Sequence, residues 1–169
     1  MMKFFFCTLL AAWLTSASGH QAAGQHHSPK VRLEKDMQTI VHVMKRQFDQ
    51  PKSPLQVAPV VVEGDWALAG WLQGDRGGRA LLQKRHGHWV IVVCAGDGLR
   101  HPAALVQTGM PNDIATALSK KLQTAESRLP ADTLKRFASF EGMLRVDGDA
   151  GHGVPHGSHG TPPKNNSPR

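Results

Sequence analysis

The stretch from Val60 to Asp97 limits the choice of fold more than any other part of the chain. It holds three of the four tryptophans, and glycine-bearing turns cut it into short apolar runs. Val57–Val62, Trp66–Leu72, Arg79–Lys84 and Trp89–Cys94 each have strand length. The breaks between them are Gly64-Asp65, the loop Gln73–Gly78 and His86-Gly87. Connections this short favour neighbours that pair antiparallel, so the run predicts a four-stranded meander. Pro59 cannot donate to a sheet ladder, which places the first strand at an edge or starts it after the proline. On the fourth strand, alternation puts Trp89, Ile91 and Val93 on one face and Val90, Val92 and Cys94 on the other.

A helix is expected on each side of this run. Leu33, Met37, Ile40, Val41, Met44 and Phe48 share one face of a helix over Leu33–Phe48, with His42 on the wet side. Pro51 and Pro54 end it. After the sheet come a short helix near Ala103–Gln107 and a longer one over Pro111–Leu129, with Ile114, Leu118, Leu122, Ala125 and Leu129 as its stripe. Pro130 breaks that helix. A last helical segment over Asp132–Phe140 turns Leu134, Phe137 and Phe140 inward. The result is a single α+β domain of residues 31–146: an N-terminal helix, a four-stranded antiparallel meander and C-terminal helices. A curved sheet wrapped by helices, cystatin-like or NTF2-like, is the architecture that this order suggests.

The ends read differently. A chain of 169 residues allows one domain with tails. Lys3 precedes an apolar run from Phe4 to Leu14, too short to span a bilayer, followed by small residues. That pattern predicts a signal peptide cut after Gly19, or alternatively after Gly24, and hence export; in a Gram-negative cell the destination is the periplasm. No second apolar run follows, so no stable membrane insertion is expected after cleavage. Residues 20–30 are polar and without periodicity, and residues 147–169 are dominated by Gly, Pro, Ser and Asn, which predicts disordered, histidine-bearing tails. The net charge of +7 draws anionic partners, but it is spread along the chain. We read it as a solvated surface, with no nucleic-acid partner.

The candidate chemistry is metal binding. Ten histidines are many for this length. His20, His26 and His27 lie in one tail and His152, His156 and His159 in the other. Mobile imidazoles capture copper, zinc or nickel without needing a fold. If Gly19 is the cut site, His20 becomes the amino terminus and chelates through its amine and ring together. Cleavage also removes Cys7 and leaves Cys94 without a partner for an internal disulfide. Cys94, Asp97 and His101 form the one locally plausible trio of ligands; the alternative is a buried structural thiol. His86 and His88 sit at the far end of the strand from Cys94, about 20 Å away at strand rise. Met37 and Met44 read as core filler. Trp66 and Trp71 read as core, with an aromatic-lined ligand pocket as the alternative. The chain has no phosphate loop, no His-Glu-x-x-His, no Gly-x-Ser-x-Gly and no Cys-x-x-Cys, so no enzyme is expected; the alternative is a cysteine enzyme with Cys94 as nucleophile and His101 as base.

Taken together, Pro59-Val-Val-Val-Glu-Gly-Asp-Trp-Ala, Gly70-Trp-Leu-Gln-Gly-Asp-Arg-Gly-Gly-Arg-Ala-Leu-Leu, Trp89-Val-Ile-Val-Val-Cys-Ala-Gly-Asp, Gly109-Met-Pro and Phe140-Glu-Gly resemble the bacterial copper uptake system-associated proteins, a family of small exported proteins. The likeness covers most of the expected domain. It implies a periplasmic role in copper uptake or homeostasis, binding or delivering metal beside copper delivery or uptake proteins. It implies no catalytic residue. The reading that competes with copper is a non-metal binding module that uses an apolar sheet pocket or a partner-binding edge.

Overall fold

The computed structural model describes residues 28–146, so the signal-peptide expectation and both histidine tails lie outside the described residues. Helix α1 (Pro29–Phe48) begins one turn earlier than the apolar spacing indicates, because Pro29 occupies its first turn and needs no partner for a missing N–H. Four strands follow: β1 (Gln56–Glu63), β2 (Trp66–Gln73), β3 (Arg76–Arg85) and β4 (His88–Ala95). A 3-10 turn (Asp97–Arg100) leads to α2 (Pro102–Val106), α3 (Asn112–Glu126) and α4 (Ala131–Ala138). The chain then returns to the sheet as β5 (Met143–Arg145), which pairs antiparallel with β4. The fold is α+β, with five strands in the order β1-β2-β3-β4-β5 rather than the expected four. A three-residue strand is too short for its alternation to stand out, and all three of its residues are exposed.

The sheet has a core on each face. On one, Ile40 and Met44 of α1 pack with Leu55, Val60, Val62, Ala67, Ala69, Ala80, Leu82, Trp89, Ile91 and Cys94. On the other, Leu105 of α2, Ala115, Leu118 and Leu122 of α3, and Leu99 and Met110 from the connections cover Trp66, Leu68, Leu81, Val93 and Ala95. We call these the α1 face and the α3 face. Small alanines at the centre of β2 and β3 let α1 approach the sheet. One anchor fixes it there: the Asp36 carboxylate accepts hydrogen bonds from Lys84 Nζ at 2.6 Å and Trp89 Nε1 at 2.9 Å.

Two side-chain patterns depart from strict periodicity. Leu81 pairs with Val93 and Leu82 with Ile91, so Val92 is an extra residue in β4. Such a bulge inverts the alternation beyond it. Cys94 therefore shares the α1 face with Trp89 and Ile91, while Val93 joins the α3 face, contrary to simple alternation. In α3 the buried side is Ala115, Leu118, Ser119, Leu122 and Glu126, one step round from the stripe through Ile114, Ala125 and Leu129. The helix also ends at Glu126, three residues short of the expected Leu129. A buried glutamate causes that offset, and its reason lies in the site below.

No described helix is long and apolar enough to cross a membrane.

Candidate functional site

Two concentrations of unusual side chains stand on opposite faces of the sheet. The first is charged. Arg79 lies in β3, completely buried, on the α3 face. Its guanidinium donates to both carboxylate oxygens of Glu126, at 2.6 and 3.0 Å, and to Asp97 Oδ1 at 3.0 Å. Arg100 Nε adds a contact of 3.3 Å to Glu126. The Phe137 ring of α4 covers the guanidinium, 5.3 Å from ring centroid to carbon. A fork-shaped cation with two planar hydrogen bonds to a carboxylate is the geometry in which a buried pair is best held. Gly70, the cross-strand partner of Arg79, makes room for the ring: a Cβ there would lie 2.6 Å from Phe137 Cζ. This cluster ties β3, the 3-10 turn, α3 and α4 together. Every member is engaged by another, which fits a structural pin.

The second concentration is an apolar pocket on the α1 face. Met44 and Phe48 of α1, Leu55 before β1, Trp71 of β2, Cys94 of β4 and Phe140 after α4 line a cavity of about 190 Å³. Gln73, Arg76 and Leu144 also border it, and the last two are exposed and face solvent. The wall is built from close approaches. Trp71 meets Phe140 edge to face, with centroids 5.7 Å apart at 81°. The indole lies over Gly78, where a Cβ would come within 2.8 Å of Trp71 Cζ2. Its Nε1 is buried and has no hydrogen-bond partner among the described residues. The Gln73 amide donates to the carbonyls of Phe48 and Ser53, at 2.7 and 2.9 Å, and so fixes the end of α1 against β2.

Cys94 is on the pocket's inner wall, 6% exposed, with no disulfide. Burial pushes its thiol up to about 11. The side chain is thus a neutral thiol at neutral pH and a poor nucleophile as it stands.

The structure does not bring the expected ligand trio together. Cys94 faces α1. Asp97 lies past the end of β4, its carboxylate taken by Arg79, and His101 is exposed at the start of α2. Among the described residues there is no group of three or more His, Cys, Asp or Glu side chains that could hold a metal. His86 and His88 are exposed at the β3–β4 turn, as the spacing requires. Trp66 packs in the core under α3, as read from the sequence, while the alternative of a pocket shared with Trp71 fails because the two lie on opposite faces and only Trp71 lines the cavity. His20, His26, His27, His152, His156 and His159 lie outside the described residues.

Sequence reasoning missed the partners of both clusters. Glu126 extends the line Leu118, Leu122 by another four residues, so an acidic side chain continues an apolar stripe. Arg79 is flanked by Gly77-Gly78 and Ala80-Leu81-Leu82 in a strand that helices cover. A charge of each sign at core positions is the signal of a buried pair. Met44, Phe48 and Phe140 gave no comparable signal, because each is an ordinary core residue until the fold places it beside Trp71 and Cys94.

Comparison with models of known families, with curated proteins and with solved structures returned no match for this chain.

Proposed function

We propose that this chain is a non-catalytic binding protein, and that its ligand site is the pocket between α1 and the sheet. The observation that carries the reading is the cavity of about 190 Å³ walled by Met44, Leu55, Trp71, Cys94 and Phe140. A concave pocket with mostly buried apolar walls and an exposed rim is the usual form of a small-molecule site. An engineered apolar cavity of about 150 Å³ is enough to take benzene. The lining is apolar and aromatic, which suits a small and mainly apolar ligand. The other face holds the charged Arg79 cluster, but there each charge already has a partner.

Calorimetric and thermal-shift titrations with benzene, phenol and short-chain aliphatic alcohols test this reading. Saturable binding is expected, with loss in a Leu144→Trp variant that fills the exposed rim. Absence of binding by any of these probes, with the protein folded, would defeat it.

Copper handling is the second reading, and one observation favours it. The thioether of Met44 and the thiol of Cys94 line the same apolar pocket. Soft sulfur donors in a dry site suit Cu(I), and a thiol raised to about 11 must give up its proton to the metal, so affinity would climb with pH. On this reading the protein works in the periplasm beside copper delivery or uptake proteins, in line with the family resemblance, and the tail histidines add Cu(II), zinc or nickel capture. Cu(I) titration of the wild type, Cys94→Ser and Met44→Leu separates the two readings. Copper handling at the pocket requires both substitutions to weaken Cu(I) binding. Unchanged affinity in both removes the pocket from the copper account.

A further inference from the structure

We propose that the furrow between α1 and α3, across the outer edge of β1, docks an acidic amphipathic helix from another protein. The furrow is a cavity of about 560 Å³ lined by Leu33 and Met37 of α1, Val61 of β1, and Ala117 and Ala125 of α3, among others. A second cavity of about 500 Å³ continues it along Val57–Val60 and shares Met37 and Val60 with the first. Leu33 in the lining of the first is 42% exposed, and Val31, two residues earlier in α1, is 45% exposed. Apolar surface left open over two adjoining cavities marks an interaction site rather than scattered exposure.

The rim sets the sign of the partner. Lys120, Lys121 and Arg128 of α3 and its following turn border the first cavity. Lys121 pairs with Glu63 at 2.6 Å, while Lys120 and Arg128 are exposed and have no carboxylate partner among the described residues. An apolar floor under free cations calls for an occupant with an apolar stripe and acidic flanks. The segments on either side of the described residues do not match that description. Before Ser28 the one charged residue is Lys3, and after Val146 the chain has Asp147, Asp149, Lys164 and Arg169, so neither end is net acidic. A second copy carries the same +7 and is repelled.

The edge decides between a strand and a helix. β1 has no strand on its outer side among the described residues, yet it is a poor template. Pro59 has no N–H to offer, the register shifts between Val57 and Val60, and Lys121 Nζ already donates to the Val62 carbonyl at 2.9 Å. Lysines, prolines and bulges are the means by which proteins block edge pairing. What is left is a trough for a helix lying on side chains. Eight strand residues span about 26 Å, which a helix of about 17 residues matches. A flat anionic bilayer cannot reach Val60 and Val62, which are below the rim at 9% and 8% exposure. The lining residues include no aromatic ring on which a base could stack.

The test is an NMR and anisotropy titration of the full chain with a 17-residue helical peptide. The peptide carries leucines at i, i+3, i+4 and i+7 spacing with glutamates beside them. Controls are the same composition scrambled and a version with lysine in place of glutamate. We expect saturable binding with Kd below about 100 µM, with amide shifts confined to Val57–Glu63, the first half of α1 and α3. The double variant K120E/R128E, at exposed side chains with no ion pair among the described residues, should weaken binding at least tenfold while leaving the thermal midpoint unchanged. No saturable binding, equal binding of the scrambled or lysine peptide, or an unaffected double variant would each overturn the proposal. So would vesicles of phosphatidylglycerol that bind the chain more tightly than the peptide does.

Discussion

The two faces of this sheet solve the same packing problem in opposite ways. The α3 face buries a full charge and surrounds it. Arg79 is held by Glu126 and Asp97 and covered by Phe137. The α1 face buries no charge at its centre. It sets Asp36 at the border, under Lys84 and Trp89, and fills the middle with alanines and a helix. Removing either member of a satisfied buried pair leaves a bare charge, so the α3 face can hardly yield space. The apolar face has no such constraint, and it is the one that leaves a cavity. The contrast gives the first face a stabilising role, and the proposed function puts a ligand on the second.

The largest effect that would break this contrast is on the pin. Glu126→Ala leaves the buried Arg79 guanidinium with only the half-exposed Asp97 and should destabilise the fold by about 3 kcal/mol, measured by chemical denaturation. The double change Arg79→Met with Glu126→Leu removes both charges together and should cost much less. Equal losses in the single and double variants would show that shape, not charge pairing, carries that face.

Gly70→Ala comes next. Its Cβ would sit 2.6 Å from Phe137 and 2.8 Å from the Ala58 carbonyl oxygen, one of them rigid backbone. Overpacking of this kind costs about 1–3 kcal/mol, with the thermal midpoint as the readout.

A smaller effect is expected at Asp36, and it depends on pH. Burial alone would raise its pKa. The hydrogen bonds from Lys84 and Trp89, with the charges of Lys84 and Arg32, outweigh burial and hold the carboxyl below its ordinary 3.8. A depressed folded-state pKa adds stability above the unfolded value and loses it as pH falls through the folded one. Asp36→Asn should therefore lower stability at pH 7 and flatten the wild type's loss of stability below about pH 4. Parallel pH profiles for the two proteins would contradict the anchor.

The smallest effect on stability belongs to the pocket. Leu144→Trp lies on an exposed strand and should shift the midpoint little, within about 0.5 kcal/mol, while abolishing ligand binding. The thiol offers a companion measurement. With a pKa of about 11, Cys94 is roughly one part in a thousand thiolate at pH 8, so its reaction with a disulfide reagent should be slow until the protein unfolds.

Much of the architecture was legible in the sequence because it rests on local pattern. The glycine turns placed the first four strands, and the spacing from Leu33 to Phe48 placed α1 within one turn. What escaped depends on through-space events. One extra residue at Val92 reverses the face of Cys94 and moves it from the helices of the C-terminal half to the pocket under α1. Asp97 and His101 are close to Cys94 in sequence, yet the end of β4 and the pull of Arg79 carry them elsewhere. β5 is recruited by pairing with β4, not by any preference of Met143, Leu144 or Arg145 that could be seen in isolation. The pocket is the extreme case. Its lining comes from α1, strands β2 to β5 and the connections at Leu55 and Phe140, and only Trp71 and Cys94 were site candidates beforehand.

The most direct test compares two methionines across the sheet. Met44 lines the pocket, and Met110 is buried in the α3 face. Methyl NMR spectra recorded during a benzene titration report on both at once. The account predicts a saturable shift of the Met44 methyl, together with the Trp71 indole N–H, and a Met110 methyl that does not move. A Met44 methyl that stays still, or shifts of equal size on the two faces, would contradict it.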